Sequence, residues 1–148
     1  MKERPIIMSS ESVREILAGN KTQTRRVLKK EPAIWTVGDR LWVKESFFYA
    51  HVKSNPRYRA DYSDWDAEGI NWTTPLYMPR KYSRITLEVV SVRAERLQEI
   101  SEVDAILEGC ESREAYRKRW DEINGKRYPW ESNPFVWVIE FKMIDGKK

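Results

Sequence analysis

The sequence predicts an α+β fold, a small mixed sheet or barrel with about three flanking helices and one long loop insertion. Three observations point to it. Segments 40–49, 84–92 and 135–144 alternate side chains along a strand and are rich in β-branched and aromatic residues. Three other segments carry apolar residues at helical spacing between capping residues and glycines. The stretch from His51 to Tyr82 holds neither period, although it is full of aromatic side chains.

A chain of 148 residues is one ordinary domain's worth, so residues 1–148 are read as a single domain. Its 41% hydrophobic content suffices for a core, and 34% charged residues keep the surface hydrated.

Arg4 to Met8 (RPIIM) reads as the first strand. Ser9 or Ser10 then caps a helix that turns Val13, Ile16 and Leu17 inward and stops at Gly19. Lys21 to Arg26 follows the helix end, in a loop or at the start of a strand. Gly38-Asp39 turns the chain into the strand 40–49, RLWVKESFFY. The stretch from His51 to Tyr82 is mainly loop with room for one hairpin, and long aromatic loops tend to carry function. Arg84 to Val92 and Phe135 to Ile144 give the clearest strands. Between them, Ser101 with Asp104 makes a capping-box arrangement for a short helix whose apolar stripe is Ile100, Val103, Ile106 and Leu107, ending at Gly109. A second helix runs from Ser112 to about Asn124, with Ala115, the alkyl stem of Arg119, Trp120 and Ile123 inward and Gly125 as its stop.

Composition narrows the chemistry. No apolar run approaches the roughly 20 residues of a membrane span, and MKERPIIMSSES lacks the apolar stretch of a signal peptide, so a cytoplasmic location is expected. Cys110 has no second cysteine to pair with, and with His51 as the sole histidine the chain is short of zinc ligands. No metal and no cofactor are expected. Asp64-Trp65-Asp66-Ala67-Glu68-Gly69 copies half of a calcium loop, but Pro75 stands where the closing Glu belongs. A Cys110/His51 nucleophilic pair is disfavoured by the place of His51 in the loop.

The charge is uneven. Residues 1–30 hold eight Lys/Arg against three Glu, and no acid falls between Lys21 and Lys30. Such a patch attracts phosphate or another anion, or is simply a solvated basic face. Within it, Gly19-Asn20-Lys21-Thr22-Gln23-Thr24-Arg25-Arg26 presents a lysine, two threonines and two arginines within six residues, all able to donate hydrogen bonds to an oxyanion or a base edge.

The spacing G-x-K-x-x-T-x-R over Gly19, Lys21, Thr24 and Arg26 resembles the signature of ASCH domains, small PUA-like β-barrel proteins associated with RNA and modified nucleosides. Segments 37–43 (VGDRLWV), 78–80 with 83–87, 100–109 and 133–141 (NPFVWVIEF) resemble the longer, phage and prophage form of that family, in the same order and over almost the whole chain. Many ASCH domains have Glu where this chain has Thr24. A bacterial branch with Thr there hydrolyses N4-acetylcytidine, and its Lys, Thr and Glu set falls on Lys21, Thr24 and Glu108.

The resemblance therefore implies a metal-free amidohydrolase acting on N4-acylated cytosine nucleosides or bases. Thr24 would be nucleophile, Lys21 base, and Glu108 the orienting acid that shuttles a proton to the leaving amine. Crowding by Arg25 and Arg26 favours loss of the Lys21 proton, whereas Glu108 favours keeping it. For Glu108, an ordinary helix-end carboxylate is the plain alternative. Substrate contacts are expected from Arg26, from Arg80 and Arg84 as part of an anion site, and from aromatics of the loop, chiefly Tyr58 and Trp72 with Trp65 and Tyr77 beside them. Ion pairing of Arg80 and Arg84 with Asp39 or Glu45, and core or lid packing of each aromatic, are the structural alternatives. Two other functions stay open: a non-enzymatic module that binds a modified nucleobase or single-stranded RNA, and an RNA-cleaving enzyme.

Overall fold

The computed structural model describes residues 1–49 and 55–146. His51 and the first residues of the predicted loop insertion lie outside the described residues.

Strand β1 (Glu3–Ile7) leads into helix α1 (Ser10–Leu17), whose N-cap is Ser9, its side chain accepting from the Ser12 amide. The helix turns Val13 and Ile16 into the core, as their spacing predicts, while Leu17 is only partly covered. The chain leaves it through Gly19 at φ +83°, a conformation open to glycine without steric cost. Strands β2 (Gln23–Val27) and β3 (Arg40–Lys44) follow. Two short strands, β4 (Phe47–Phe48) and β5 (Arg57–Tyr58), pair antiparallel, and only β5 lies within the stretch 51–82 in which a hairpin is expected. The predicted strand 40–49 is thus broken after Lys44. Its alternation nevertheless continues, with Leu41, Val43, Glu45 and Phe47 all buried.

The rest of the insertion is built from single turns around a four-residue helix, α2 (Asp64–Ala67). Two long strands, β6 (Ile85–Arg96) and β7 (Phe135–Gly146), enclose helices α3 (Glu102–Leu107) and α4 (Arg113–Asn124). Ser101, Ser112 and Gly125 cap these helices where the sequence placed their ends.

Five strands form one sheet in the order β1-β3-β6-β7-β2, parallel only between β1 and β3. Register shifts at Thr86/Leu87 and Val89/Ser91 mark bulges in the β6–β7 pair, which bend and twist a sheet locally. The predicted barrel is not closed among the described residues: β1 and β2 remain the two edges. Side chains alone join them there, as Arg26 Nη2 donates to the Ile7 carbonyl at 2.8 Å.

The core has two parts that share β7. Ile139 and Phe141 pack with Ile6, Val13, Ile16, Leu41, Val43 and Leu87 beneath α1. Val136 and Val138 pack with Leu97, Ile100, Tyr116, Trp120 and Trp130 beneath α3 and α4.

Two predicted helix faces are corrected. Ile100 and Ala105 are buried, but Val103, Ile106 and Leu107 of α3 are exposed, because the helix turns Asp104 and the following Glu108 toward buried cations. On α4 the buried pair is Tyr116 and Trp120, one turn apart, and Ile123 is exposed.

Candidate functional site

A cavity of about 560 Å³ lies beside the unpaired edges of β1 and β2, with α4 as its opposite wall. Lys21, Thr24, Arg26 and Glu108 all line it, so four of the residues singled out in the sequence meet in one place. They come from the segment just before β2, from β2 itself and from the residue that caps the end of α3, 87 residues apart at the extremes.

Backbone contacts fix this meeting. Lys21 N donates to the Glu15 carbonyl at 3.1 Å, and Thr22 N to the Leu107 carbonyl at 2.8 Å, so the segment after α1 crosses the end of α3. Lys21 and Glu108 form an isolated antiparallel bridge. Gly109 makes the approach possible. It has φ +88°, and a Cβ there would lie 2.9 Å from the Glu15 Cβ and 3.3 Å from the Lys21 Cβ.

Lys21 Nζ donates to Glu108 Oε1 at 3.0 Å and to the Glu108 carbonyl at 3.1 Å. The other carboxylate oxygen accepts from Arg25 Nη1 at 2.8 Å. Arg25 is fully covered and is held in turn by Gln23, by Asp104 at 3.2 Å and by Glu95 at 3.3 Å. Glu108 is therefore clamped between two cations, one of which is anchored by further carboxylates. The plain alternative of an exposed helix-end carboxylate is overturned, because Glu108 is only 3% exposed.

Lys21, Gln23 and Arg25 all turn toward Asp104 and Glu108. Strand alternation puts Thr24 on the opposite face of β2, and the cavity meets both faces because β2 is an edge. Thr24 is buried, and its hydroxyl has no hydrogen-bond partner among the described residues. The remaining wall comes from residues the sequence reading left in the core or unnoticed: Trp35, Tyr116, Arg119, Trp120 and Tyr128. Burial, and then the Glu108 carboxylate, pushes the Tyr116 hydroxyl well above its ordinary value. Cys110, behind this wall, is also pushed up by burial, so its thiol stays protonated and poorly nucleophilic.

The expected contacts from the insertion do not reach this cavity. Arg84 binds Glu45 at 3.0 Å and Asp61 at 2.8 Å, and stacks on the Tyr58 ring at 4.1 Å; its ion pair with Glu45 was one of the structural alternatives. Tyr58 donates its hydroxyl to the Tyr82 carbonyl at 2.6 Å. Trp72 packs edge-on against Phe48 and Tyr62 and donates to the Ala67 carbonyl. Arg80 pairs with Glu3 and lies over Trp42. Arg80 and Arg84 tie the insertion to β1 and to the end of β3, and Tyr58 and Trp72 pack within the insertion and its small hairpin. Trp65 and Tyr77 are exposed, and among the described residues of the insertion only Pro75 touches the cavity.

Among the described residues no group of three or more His, Cys, Asp and Glu is arranged to hold a metal ion, and no helix is long and apolar enough to cross a membrane.

No protein-family model matches the sequence, and no curated protein does. Solved structures do. An ASCH domain from Lactobacillus crispatus JV V101 matches 97% of this chain and 80% of its own, at 15% identity and a TM-score of 0.58. The hypothetical protein PH0355 matches 97% of this chain and all of its own, at 18% identity and a TM-score of 0.56. Protein EF3133 from Enterococcus faecalis V583, assigned to DUF984, matches 98% and 81%, at 13% identity and a TM-score of 0.54. At these identities the likeness is one of architecture, and the architecture is that of the ASCH domain, with the sheet edges left apart where the cavity lies.

Proposed function

We propose that the chain is a metal-free amidohydrolase for N4-acylated cytosine nucleosides or bases. One observation carries the reading: Lys21 and Thr24 and the sequence-distant Glu108 line one cavity large enough for a nucleoside, with a Thr hydroxyl left without a partner among the described residues. In this reading Thr24 Oγ1 attacks the acyl carbonyl carbon and the Lys21 amine takes its proton. The amine is freed for this when Glu108 accepts a proton from it. Collapse of the tetrahedral intermediate breaks the bond to N4, and the leaving nitrogen takes a proton back from the Lys21–Glu108 pair. Water then hydrolyses the acyl-threonine.

A second reading has its own support. Lys21 is engaged by the Glu108 side chain and carbonyl, and no hydrogen bond joins it to Thr24 among the described residues. That arrangement suits a pocket that recognises a modified nucleobase, free or in single-stranded RNA, without cleaving it.

Release of cytidine from N4-acetylcytidine in EDTA, followed by absorbance, separates the two. The hydrolase is expected to turn over, and Lys21→Ala and Thr24→Ala each to lose about 100- to 10,000-fold in rate. A folded wild type that binds but does not turn over supports the binding module. Binding to a polymer is then recognised by its salt dependence, with a slope near −0.7 per phosphate contacted on single strands.

A further inference from the structure

The cavity contains a hydrogen-bond donor that the Lys21, Thr24 and Glu108 set does not use. Tyr116 projects from the first turns of α4, its ring is covered to all but 5%, and it packs at 6.4 Å from Trp120. Buried tyrosines ordinarily place their hydroxyl against a partner. That of Tyr116 has none among the described residues. Nor is it sealed in: among the described residues the covered side-chain atoms without partners are Arg4 Nε, Arg25 Nε and Arg119 Nη1, so the tip of Tyr116 keeps access to the cavity it lines.

The surroundings keep that hydroxyl protonated. Burial disfavours the phenolate, the Glu108 carboxylate and the Cys110 thiol oppose it further, and Arg25 and Arg26 act the other way without prevailing. A tyrosine in this setting is a neutral donor. It can also accept: Lys21 and Arg25 are engaged on Glu108 and Arg26 on the Ile7 carbonyl, whereas Arg119 Nη1, on the same wall, is without a partner among the described residues. No described residue accepts from Tyr116, and the carbonyl of an acylated ligand would bring an acceptor into the cavity that it lines.

Resting on the amidohydrolase reading for its ligand class, we propose that Tyr116 donates its hydroxyl hydrogen bond to the acyl carbonyl oxygen of the N4-acylated ligand. The acyl group rather than the cytosine ring is thereby selected. During attack by Thr24 the same donor faces the oxygen on which negative charge develops, and it gives up no proton. Tyr116 is then a ligand-contacting residue contributed by α4, on the wall opposite β2.

Tyr116→Phe removes one unpartnered hydroxyl and keeps the ring, so its melting temperature is expected to match the wild type. Two measurements use it. In the Thr24→Ala background, calorimetric titration with N4-acetylcytidine and with cytidine isolates binding: Tyr116→Phe is expected to weaken the acetylated ligand about tenfold and leave cytidine unchanged. In the otherwise native protein it is expected to lower kcat about 100-fold with a smaller change in KM, in the range seen for loss of one oxyanion donor.

If the wild type binds N4-acetylcytidine without turnover and Tyr116→Phe still weakens that ligand selectively, hydrolysis is lost as a function and the Tyr116 contact stands. If turnover is robust and Tyr116→Phe alters neither kcat nor the acetylated ligand's affinity, the contact is overturned and hydrolysis stands. Equal weakening of both ligands would also overturn it, since the hydroxyl would then meet the base or sugar. Absence of both binding and turnover overturns the two together.

Discussion

Among the described residues two ion networks with buried arginines, one under the insertion and one beside the cavity, are built from similar parts. Arg84 meets Glu45 and Asp61 under the insertion, and Arg25 meets Glu108, Asp104 and Glu95 beside the cavity. In the first, the charges answer one another and lock the insertion onto β3 and β6. Burial pushes the Glu45 carboxyl up, and its hydrogen bond from Arg84 opposes that shift. In the second, Glu108 also holds an ammonium, and the pair opens on a cavity where the hydroxyls of Thr24 and Tyr116 have no partner among the described residues. A buried arginine–carboxylate pair is therefore not by itself a sign of function. What marks a site is a charge network that borders open space and leaves neighbouring polar groups without partners.

The largest expected effect tests whether the two networks differ as described. Removing one member of a buried ion pair strands its partner and costs about 3–5 kcal/mol. Glu45→Ala and Glu108→Ala are both expected to fall in that range by chemical denaturation. Their folded fractions should then diverge: Glu45→Ala retains turnover of N4-acetylcytidine per folded molecule, and Glu108→Ala does not. Equal loss of turnover in both would erase the distinction.

A smaller effect sharpens the cavity side. Gly109→Ala forces a side chain into left-handed backbone, at about 1–2 kcal/mol, and sets it against Glu15 and Lys21. Reduced stability with reduced turnover is expected, because the displaced Lys21 stem carries the amine. Full turnover by a destabilised Gly109→Ala would show that the close approach serves packing alone.

The smallest effect concerns a third carboxylate, closed like Glu45. Asp39 accepts from the Lys2 and Thr36 amides, each at 3.0 Å. The Lys2 amide above all holds its carboxyl below the ordinary range, against the opposing effect of burial. Its folded value is therefore lower than its unfolded one. The stability it contributes is complete above the ordinary carboxylate value of about 4 and is lost as pH falls through the lower, folded value. Denaturation at pH 7 and at successive steps below pH 4 should show a shallower acid loss in Asp39→Asn than in the wild type. Parallel losses would assign the acid sensitivity to other carboxylates.

Much of this architecture is legible in the sequence. The alternation in 84–92 and 135–144 marks β6 and β7, and Ser101, Ser112 and Gly125 mark helix ends through hydrogen bonds that are local to the chain. The inner face of α3 is not legible. Apolar spacing points to Val103 and Ile106, but the energetics of the buried Arg25 guanidinium turn Asp104 and Glu108 inward instead. Arg80, Arg84, Tyr58 and Trp72 have the chemistry of ligand contacts, and acceptors elsewhere in the fold, distant in sequence for the first three and local for Trp72, use that chemistry for packing.

The sequence by itself determined the local features: strand and helix periods, caps, the turn at Gly19, and the cluster of donors from Lys21 to Arg26. Each depends on residues within a few positions of one another. The tertiary structure decided which donors are spent inside the protein and which face open space. That decision rests on contacts across the chain, where Gly109 lets Lys21 reach Glu108 and α4 brings Tyr116 opposite β2. Whether a polar group stays free for a ligand depends on the groups that folding sets beside it.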